Sequence, residues 1–260
     1  MRVALGVSYK GTNYQGWQSQ PSGLTLQDHL ESALSKFADQ RISTLCAGRT
    51  DAGVHALMQV VHFDTDRIRE AHSWVRGTNS YLPKDMAVQW AVLTSDAFHC
   101  RASALSRRYA YVLMESPIRP SVDIGRVGWT FHALNADSLQ AAARHLLGEH
   151  DFSSFRAAQC QAISPVKNMI DIQISRRGAY WRFEFEANAF LHHMIRNIMG
   201  CLIQIGQGRR RPEWIAEVLM ARDRRVAAPT FSPDGLYFLG PRYDAKWGMP
   251  EQTAALDGLP

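Results

Sequence analysis

Two alternating apolar runs joined by a short polar turn constrain the fold of this chain more than any other feature. The first run is Ile170, Ile172 and Ile174, and the second is Trp181, Phe183 and Phe185. Alternation puts the apolar side chains of each run on one face of a strand. The link Arg176-Arg177-Gly178-Ala179 is typical of a hairpin turn. An antiparallel pair of this kind, next to helical segments, indicates an α+β fold.

Strands and helices are predicted in both halves of the chain. Alternation over residues 3–9 predicts a strand, and helical spacing after Thr25 predicts a helix with Thr25 as N-cap. Further strands are predicted at 41–46, 57–63, 86–92, 107–114 and 236–239, and further helices at 68–75, 138–147, 189–205 and 212–220. We therefore predict two α+β halves, residues 1–105 and 106–245, each combining helices with largely antiparallel sheet. Residues 246–260 are predicted to form a peripheral tail.

The charge of the chain favours an acidic partner only modestly. The 260 residues carry a net charge of +5, and arginines form local clusters such as 209–211. Guanidinium groups suit bidentate phosphate contacts and stacking on bases. The alternative is that these clusters are ordinary solvated helix faces. Basicity alone therefore favours a nucleic-acid partner without establishing one.

Several functional classes are excluded or disfavoured by what the sequence lacks. Residues 1–10 do not resemble a signal peptide, and no apolar stretch is long enough to span a membrane, so we expect a soluble cytoplasmic protein. The four cysteines lie tens of residues apart without metal-ligand spacing. Phosphate-loop motifs are also missing. We expect neither a metal nor a nucleotide cofactor.

The loop of residues 48–53 is the first candidate for catalysis. It places Arg49 and Asp51 between Gly48 and Gly53, and glycine lets a ligand approach the backbone closely. An ionised Asp51 can act as nucleophile or general base. The alternative is a turn aspartate that accepts backbone N–H groups.

The predicted helix at 189–205 combines an apolar stripe with a polar strip. Its apolar residues recur at helical spacing, whereas His192, His193, Arg196 and Asn197 lie off that stripe. Such a strip is expected either at the surface or in a cleft. In a cleft, Arg196 is the natural counter-ion for a catalytic carboxylate.

Aromatic and arginine side chains alternate in residues 98–102 and 107–111. This pattern suits RNA, whose bases stack on rings and whose phosphates meet guanidinium groups. In a strand, Tyr109 and Tyr111 share one face while Arg108 faces the other way. The alternative is that both tyrosines pack in the core.

Taken together, these segments resemble the tRNA pseudouridine synthase A family over nearly the whole chain. The matching segments occur in the order in which the family has them. They are residues 14–18, 25–27, 47–56, 98–102, 107–111, 155–160 and 190–197. The string Gly48-Arg49-Thr50-Asp51-Ala52-Gly53-Val54-His55 is the most specific of them.

The resemblance implies a pseudouridine synthase fold with an active cleft between its halves, and a homodimer that shares one tRNA. It implies isomerisation of uridine to pseudouridine at positions 38, 39 and 40 of the tRNA anticodon stem-loop. Asp51 matches the catalytic aspartate, Arg49 the arginine that fills the space of the flipped base, and Arg196 the basic partner of the aspartate. Tyr109 matches the tyrosine that stacks on the target uracil, and it is a candidate for handling the proton at C5.

Two further segments match regions of the family that touch tRNA. They are Phe98, His99, Cys100, Arg101 and Ala102, and then Gln159, Cys160, Gln161, Ala162 and Ile163. Cys100 replaces a common alanine, and Ala162 and Ile163 replace more polar residues, which puts individual RNA contacts in doubt.

Three rival functions remain open at the level of sequence. One is a catalytically silent tRNA-binding protein or folding helper, and another is a hydrolase that uses Asp51 to release the base. The third is a related synthase that acts on another RNA. Sequence also does not choose between attack by Asp51 at C6 of the uracil and action at the sugar.

Overall fold

The computed structural model describes residues 1–250, and the chain divides into two compact units. Among the described residues, the first unit comprises Met1–Arg107 and residues 237–250, and the second comprises Arg108–Leu236. The final strand, which we expected in the C-terminal half, thus belongs to the first unit. Residues 251–260 of the expected tail lie outside the described residues.

The first unit is an α+β unit built around a mostly antiparallel sheet. Its elements are β1 (Arg2–Tyr9), α1 (Leu26–Ala38), β2 (Leu45–Cys46), β3 (His55–Asp64), α2 (Ala71–Asn79), β4 (Met86–Thr94) and β10 (Leu236–Tyr243). β1 pairs antiparallel with both β3 and β4. β2 pairs antiparallel with β3, and β10 runs parallel to β3. Helix α2 packs on β4 and on α1.

The strand β1 is buried on both faces, although its sequence predicts burial of alternate residues. Val3, Leu5 and Val7 are fully buried, as expected, and so is Ala4 on the opposite face. Other side chains cover this second face, because Ala4 belongs to a buried cluster with Met58 and Phe98. The small side chain of Ala4 allows the second face to be covered as well.

The helices of the first unit follow the sequence signals with one shift. Helix α1 begins as predicted, because the side chain of Thr25 accepts a hydrogen bond from the Asp28 N–H. Helix α2 was predicted at 68–75 but spans Ala71–Asn79. The apolar residue Ile68 suggested an earlier start, yet its side chain is 92% exposed.

The second unit also combines antiparallel strands with helices. Its elements are β5 (Ala104–Glu115), which enters from the first unit, β6 (Gly128–Thr130), α3 (Ala136–Arg144), β7 (Gly148–Asp151), β8 (Val166–Arg177), β9 (Tyr180–Ala187), α4 (Met194–Gly206) and α5 (Trp214–Ala221). The predicted hairpin is confirmed, since β8 and β9 pair antiparallel up to Arg177 and Tyr180. β9 lies next to β5, β7 pairs with β8, and β6 runs parallel to β5.

The long helix predicted at 189–205 is shorter than expected at its N-terminus. It begins only at Met194, because His193 adopts a left-handed conformation with φ of 63° that no helix can continue through. Its predicted core stripe is confirmed: Leu191, Ile195 and Ile198 are buried, as are the later stripe residues Leu202 and Ile205. Among residues 1–250, no helix is long and apolar enough to cross a membrane.

Candidate active site

Asp51 lies in the loop that connects β2 to β3, and neighbouring main chain holds this loop in place. The Trp17 N–H donates to the Thr50 carbonyl at 3.0 Å, and the Val54 N–H donates to the Asp51 carbonyl at 3.1 Å. The hydroxyl groups of Thr50 and Tyr9 are 2.8 Å apart in a buried hydrogen bond. Asp51 itself is half-buried, whereas Arg49 is exposed. The loop therefore presents a carboxylate and a guanidinium from a fixed backbone.

Gly16 packs directly against the backbone of this loop. Its φ is +85°, and a Cβ built on it would lie 2.9 Å from the Thr50 carbonyl oxygen and 3.1 Å from the Ala52 nitrogen. The backbone of Gly16 is tied in turn to the start of α1, because the Leu26 N–H donates to its carbonyl at 3.1 Å. Only a residue without a side chain fits this position.

Gln59, which sequence reasoning did not identify, holds the opposite side of the loop. It lies on β3 and is fully buried. Its Nε2 donates to the Gly48 carbonyl at 2.5 Å, and its Oε1 accepts the Gly48 N–H at 3.4 Å. The signal for it was one amide inside the apolar run of β3, since a buried amide needs hydrogen-bond partners.

The segment 98–102 combines buried anchors with exposed residues. Phe98 and Cys100 are fully buried. The ring of Phe98 packs edge-on against Trp247, with ring centroids 5.4 Å apart, so this part of the expected peripheral tail contributes to the core. Arg101 and Ala102 are exposed, and their N–H groups each donate to His99 Nδ1 at 3.2 Å.

His62, His99 and Cys100 form a cluster that their sequence spacing did not reveal. One potential metal-ligand atom of each lies within 4.8 Å of the others. However, Nδ1 of His62 accepts the Cys100 N–H at 3.3 Å, and Nδ1 of His99 also accepts backbone N–H groups. A histidine ring whose Nδ1 accepts an N–H carries a proton on Nε2, so neither ring offers a metal a free nitrogen. Burial, followed by the charge of Arg2 and then by the nearby His99, lowers the pKa of His62 to about 4.

In the second unit, the two tyrosines of β5 have different environments. Tyr111 is fully buried, and its hydroxyl donates to the Ser232 carbonyl at 2.9 Å. Burial, followed by the charge of Asp234, raises its pKa well above the usual value. Tyr109 retains 8% exposure and packs edge-on against Phe190, with ring centroids 5.1 Å apart. The alternative that both tyrosines pack in the core is therefore correct for Tyr111, whereas Tyr109 lies at the margin of the core.

Arg196 lies in the first turn of α4 and is half-buried. Its Nε donates to the Phe231 carbonyl at 2.9 Å. In return, the Phe231 N–H donates to the Arg196 carbonyl at 3.1 Å. Both the backbone and the guanidinium of Arg196 are therefore fixed to the same residue.

The prediction of a polar strip on this helix is only partly confirmed. His192 and His193 precede the helix instead of lying on it, and Asn197 is fully buried instead of lining a surface or cleft. The Asn197 Nδ2 donates to the Phe155 carbonyl at 2.8 Å. Its Oδ1 accepts from Thr230 Oγ1 at 2.6 Å and from Arg224 Nη2 at 3.0 Å. A fully bonded amide can be buried at little cost.

The segment 155–163 is shaped by Arg156, whose Nη2 donates to the carbonyls of Cys160 and Ala162, both at 2.7 Å. The His192 N–H donates to Cys160 Sγ at 3.4 Å. Burial raises the pKa of the Cys160 thiol, but the N–H groups of Ala162 and His192, with Arg156, outweigh burial and bring the pKa below its usual value. Gln159, Gln161 and Ile163 are exposed.

Comparison with known proteins identifies a family for the chain. Residues 6–101 and 142–244 match a family model described as tRNA pseudouridine synthase. A protein of Albidiferax ferrireducens named tRNA pseudouridine synthase A is 69% identical over 260 residues, and the match covers 100% of both chains. A protein of the same name from Polaromonas naphthalenivorans is 68% identical over 264 residues, again with 100% of each chain covered.

A solved structure, the crystal structure of a Cbf5-Nop10-Gar1 complex, aligns with 91% of this chain and 48% of the other chain at 12% identity. Its TM-score of 0.39 is too low to establish a shared fold. The family model and the full-length relatives are decisive by themselves. The chain belongs to the tRNA pseudouridine synthase family, which is a family of isomerases.

Proposed function

We propose that this chain converts uridine to pseudouridine at positions 38, 39 and 40 of the tRNA anticodon stem-loop, with Asp51 as nucleophile. The observation that carries the proposal is the fixed loop at Asp51. Gly16 and Trp17 hold it on one side and Gln59 on the other. A nucleophile must be held in productive geometry, because small displacements reduce the rate strongly. A turn aspartate with only a local capping role needs no such support from two separate segments.

The reaction is an isomerisation and needs no second substrate. The N1–C1′ bond breaks, the uracil turns, and a C5–C1′ bond forms. The proton on C5 leaves to solvent, and N1 gains a proton, so atoms and electrons balance. We assign to Arg196 the positive charge that keeps the catalytic carboxylate ionised. No step of this scheme requires a metal or a redox cofactor.

Two residues handle the target nucleotide in this proposal. A uracil in a stem must leave the stack before chemistry, and the lost stacking has to be replaced. Arg49 is exposed beside Asp51, and its planar group suits the vacated space. Tyr109 stacks on the uracil and is a candidate to take the C5 proton. Its hydroxyl-bearing ring is held by the edge-on contact with Phe190.

We also propose that residues 98–102 and 159–163 contact the tRNA. In the first segment, Arg101 and Ala102 are the exposed residues, while buried Phe98 and Cys100 hold the segment in shape. In the second segment, Gln159, Gln161 and Ile163 reach solvent, and Ile163 is fully exposed. Cys160 and Ala162 supply the carbonyls that Arg156 binds.

The test uses unmodified tRNA transcripts with tritium at C5 of uridine. We expect tritium release by the wild-type chain and none above background with Asp51→Asn. Asp66→Asn is the matched control, because the Asp66 side chain is 80% exposed and far along the chain from the loop. Release by Asp51→Asn at the wild-type rate would overturn the assignment of the nucleophile.

The same experiment separates the rival functions. Tight tRNA binding without release indicates a silent binding protein, and an abasic site in the product indicates a hydrolase. Transcripts with uridine at only one of positions 38, 39 and 40 test the positions. Release from another RNA, but from none of these transcripts, would indicate a related synthase.

We further propose that the protein acts in the cytoplasm, where tRNA is its substrate, and that it is a homodimer. The segment 117–131 supports the dimer, because Ile118, Val122, Ile124 and Phe131 are 75%, 88%, 63% and 60% exposed. Exposed apolar side chains that are close together in the chain are typical of a protein–protein contact surface.

Sedimentation velocity tests the dimer directly. We expect a dimer for the wild-type chain and a monomer for Ile124→Asp. Ile68→Asp is the control, because Ile68 is an equally apolar residue, 92% exposed, in the other unit. A monomeric wild-type chain at micromolar concentration contradicts the proposal.

A further inference from the structure

Residues 224–235, which we call the connecting segment, run along α4 and make contacts at successive turns of the helix. Phe231 and Arg196 exchange backbone and side-chain hydrogen bonds, as described above. The Ala228 N–H donates to Cys201 Sγ at 3.3 Å. Between these contacts, a Cβ built on Gly200 would lie 2.2 Å from the Pro229 carbonyl oxygen. The connecting segment therefore lies in direct backbone contact with the helix that carries Arg196.

The same segment is fastened to strand β5 at its other end. The Tyr111 hydroxyl donates to the Ser232 carbonyl at 2.9 Å, and the Val112 N–H donates to the Gly235 carbonyl at 2.8 Å. β5 is the strand that carries Tyr109. One stretch of chain thus connects the backbone of Arg196 to the strand of Tyr109, and both contacts lie within the second unit.

Asn197 is the centre of the attachment to α4. Its Oδ1 accepts from Thr230 Oγ1 and from Arg224 Nη2, and Arg224 Nη2 also bonds to Thr230 Oγ1 at 3.1 Å. Its Nδ2 reaches the Phe155 carbonyl, at the start of the 155–163 segment. The network is adjacent to the site on both sides, because Thr230 precedes Phe231 and Asn197 follows Arg196. Loss of a bond here therefore loosens the backbone of Arg196 and of Phe231, whose carbonyl accepts from the guanidinium.

We propose that Asn197, Thr230 and Arg224 form a positioning network that sets the place of Arg196 relative to the strand of Tyr109. This inference rests on the function proposed above, in which Arg196 keeps the catalytic carboxylate ionised and Tyr109 stacks on the uracil. The network itself does not touch the substrate. Its effect is on the rate of the chemical step, because a catalytic group must be held closely to productive geometry.

Thr230→Val is the primary test, since it removes the hydroxyl and keeps the shape of the side chain. Thr230 is exposed, so the substitution leaves core packing intact. We expect single-turnover tritium release to fall about tenfold, while tRNA affinity measured by filter binding stays within about twofold of wild type. Thr230→Ser restores the hydroxyl, and it should recover most of the rate.

A matched control separates positioning from general loss of stability. The Asn135 side chain caps α3 by accepting the Ser138 N–H at 2.8 Å, and Asn135→Ala should lower the melting temperature without slowing tritium release. A wild-type rate in Thr230→Val would overturn the proposal. So would an equal loss in Thr230→Ser, or an equal loss in Asn135→Ala at a similar melting temperature. Absence of tritium release by the wild-type chain would instead refute the proposed function.

Discussion

Substitution of Gly16 by alanine tests whether the backbone around Asp51 has to be held as closely as the structure shows. Gly16 has a φ of +85°, and the backbone of residues 50–52 occupies the space that a side chain at this position would need. An alanine Cβ would lie 2.9 Å from the Thr50 carbonyl oxygen. The variant therefore pushes directly on the loop that carries the proposed nucleophile, without changing any residue of that loop.

The cost of Gly16→Ala has two parts. A residue with a Cβ loses about 1–2 kcal/mol in a left-handed backbone conformation. The close contact adds about 1–3 kcal/mol, as overpacking usually does. We expect a total loss of about 3 kcal/mol in the free energy of unfolding, which combines these two parts. Relief of the contact moves the loop by a few tenths of an ångström, and we expect about a tenfold fall in single-turnover rate.

Gly23→Ala is a control in which only the first part of the cost is expected, namely the strain of a left-handed backbone conformation. Gly23 has a φ of +68° in the same region of the chain, but a Cβ there meets nothing within 4 Å. We expect Gly23→Ala to lose about 1–2 kcal/mol in urea unfolding and to release tritium at the wild-type rate. Equal rates for the two variants, after unfolding has shown that both are folded, would refute the reasoning about the loop.

The remaining predictions concern other groups of the site. His62→Asn should remove a pH dependence of stability. The folded-state pKa of His62 is about 4, below the unfolded value, so acid protonates the unfolded chain first, and wild-type stability should fall by about 2 kcal/mol between pH 7 and pH 5. Urea unfolding at both pH values checks this, and an equal slope in the variant contradicts it. Cys160 should be the first thiol that iodoacetamide labels at pH 8, because its pKa is lowered and those of the other three cysteines are raised. Bound tRNA should slow that labelling, and peptide mass spectrometry measures both effects. Arg196→Ala should lower both the melting temperature and the rate, because the half-buried guanidinium bonds to the Phe231 carbonyl. An unchanged melting temperature would show that this bond contributes little.

The elements that were predicted well are those whose signals are local. The N-cap at Thr25 and the hairpin at Arg177 and Tyr180 depend on a few adjacent residues, and both are confirmed. The start of α4 was predicted too early, because apolar spacing continues to Leu191 while the left-handed His193 prevents a helix there. Periodicity describes which side chains are buried, and burial extends beyond the end of a helix.

The candidate site was predicted from motifs, whereas the residues that hold it in place were not. Arg49 and Asp51 share a loop, so a short string identifies them together. Gln59 and Asn197 each lie within a buried apolar element, and their partners are backbone groups or distant side chains. The local sequence shows such an amide as one polar residue in an apolar element, but it does not identify the partners that the amide needs when it is buried.

Asn197 shows what additional reasoning the sequence alone would have supported. Asn197 directly follows Arg196, which was expected to be charged and functional. The apolar residues on either side of this pair, Ile195 and Ile198, are both buried. A buried amide is costly unless both its ends are bonded. Its presence on a core-facing turn therefore requires partners from other segments, and here these partners are Phe155, Thr230 and Arg224. An isolated amide in an apolar element next to a proposed catalytic residue is thus a reason to look for a positioning network, because burial makes its hydrogen bonds obligatory.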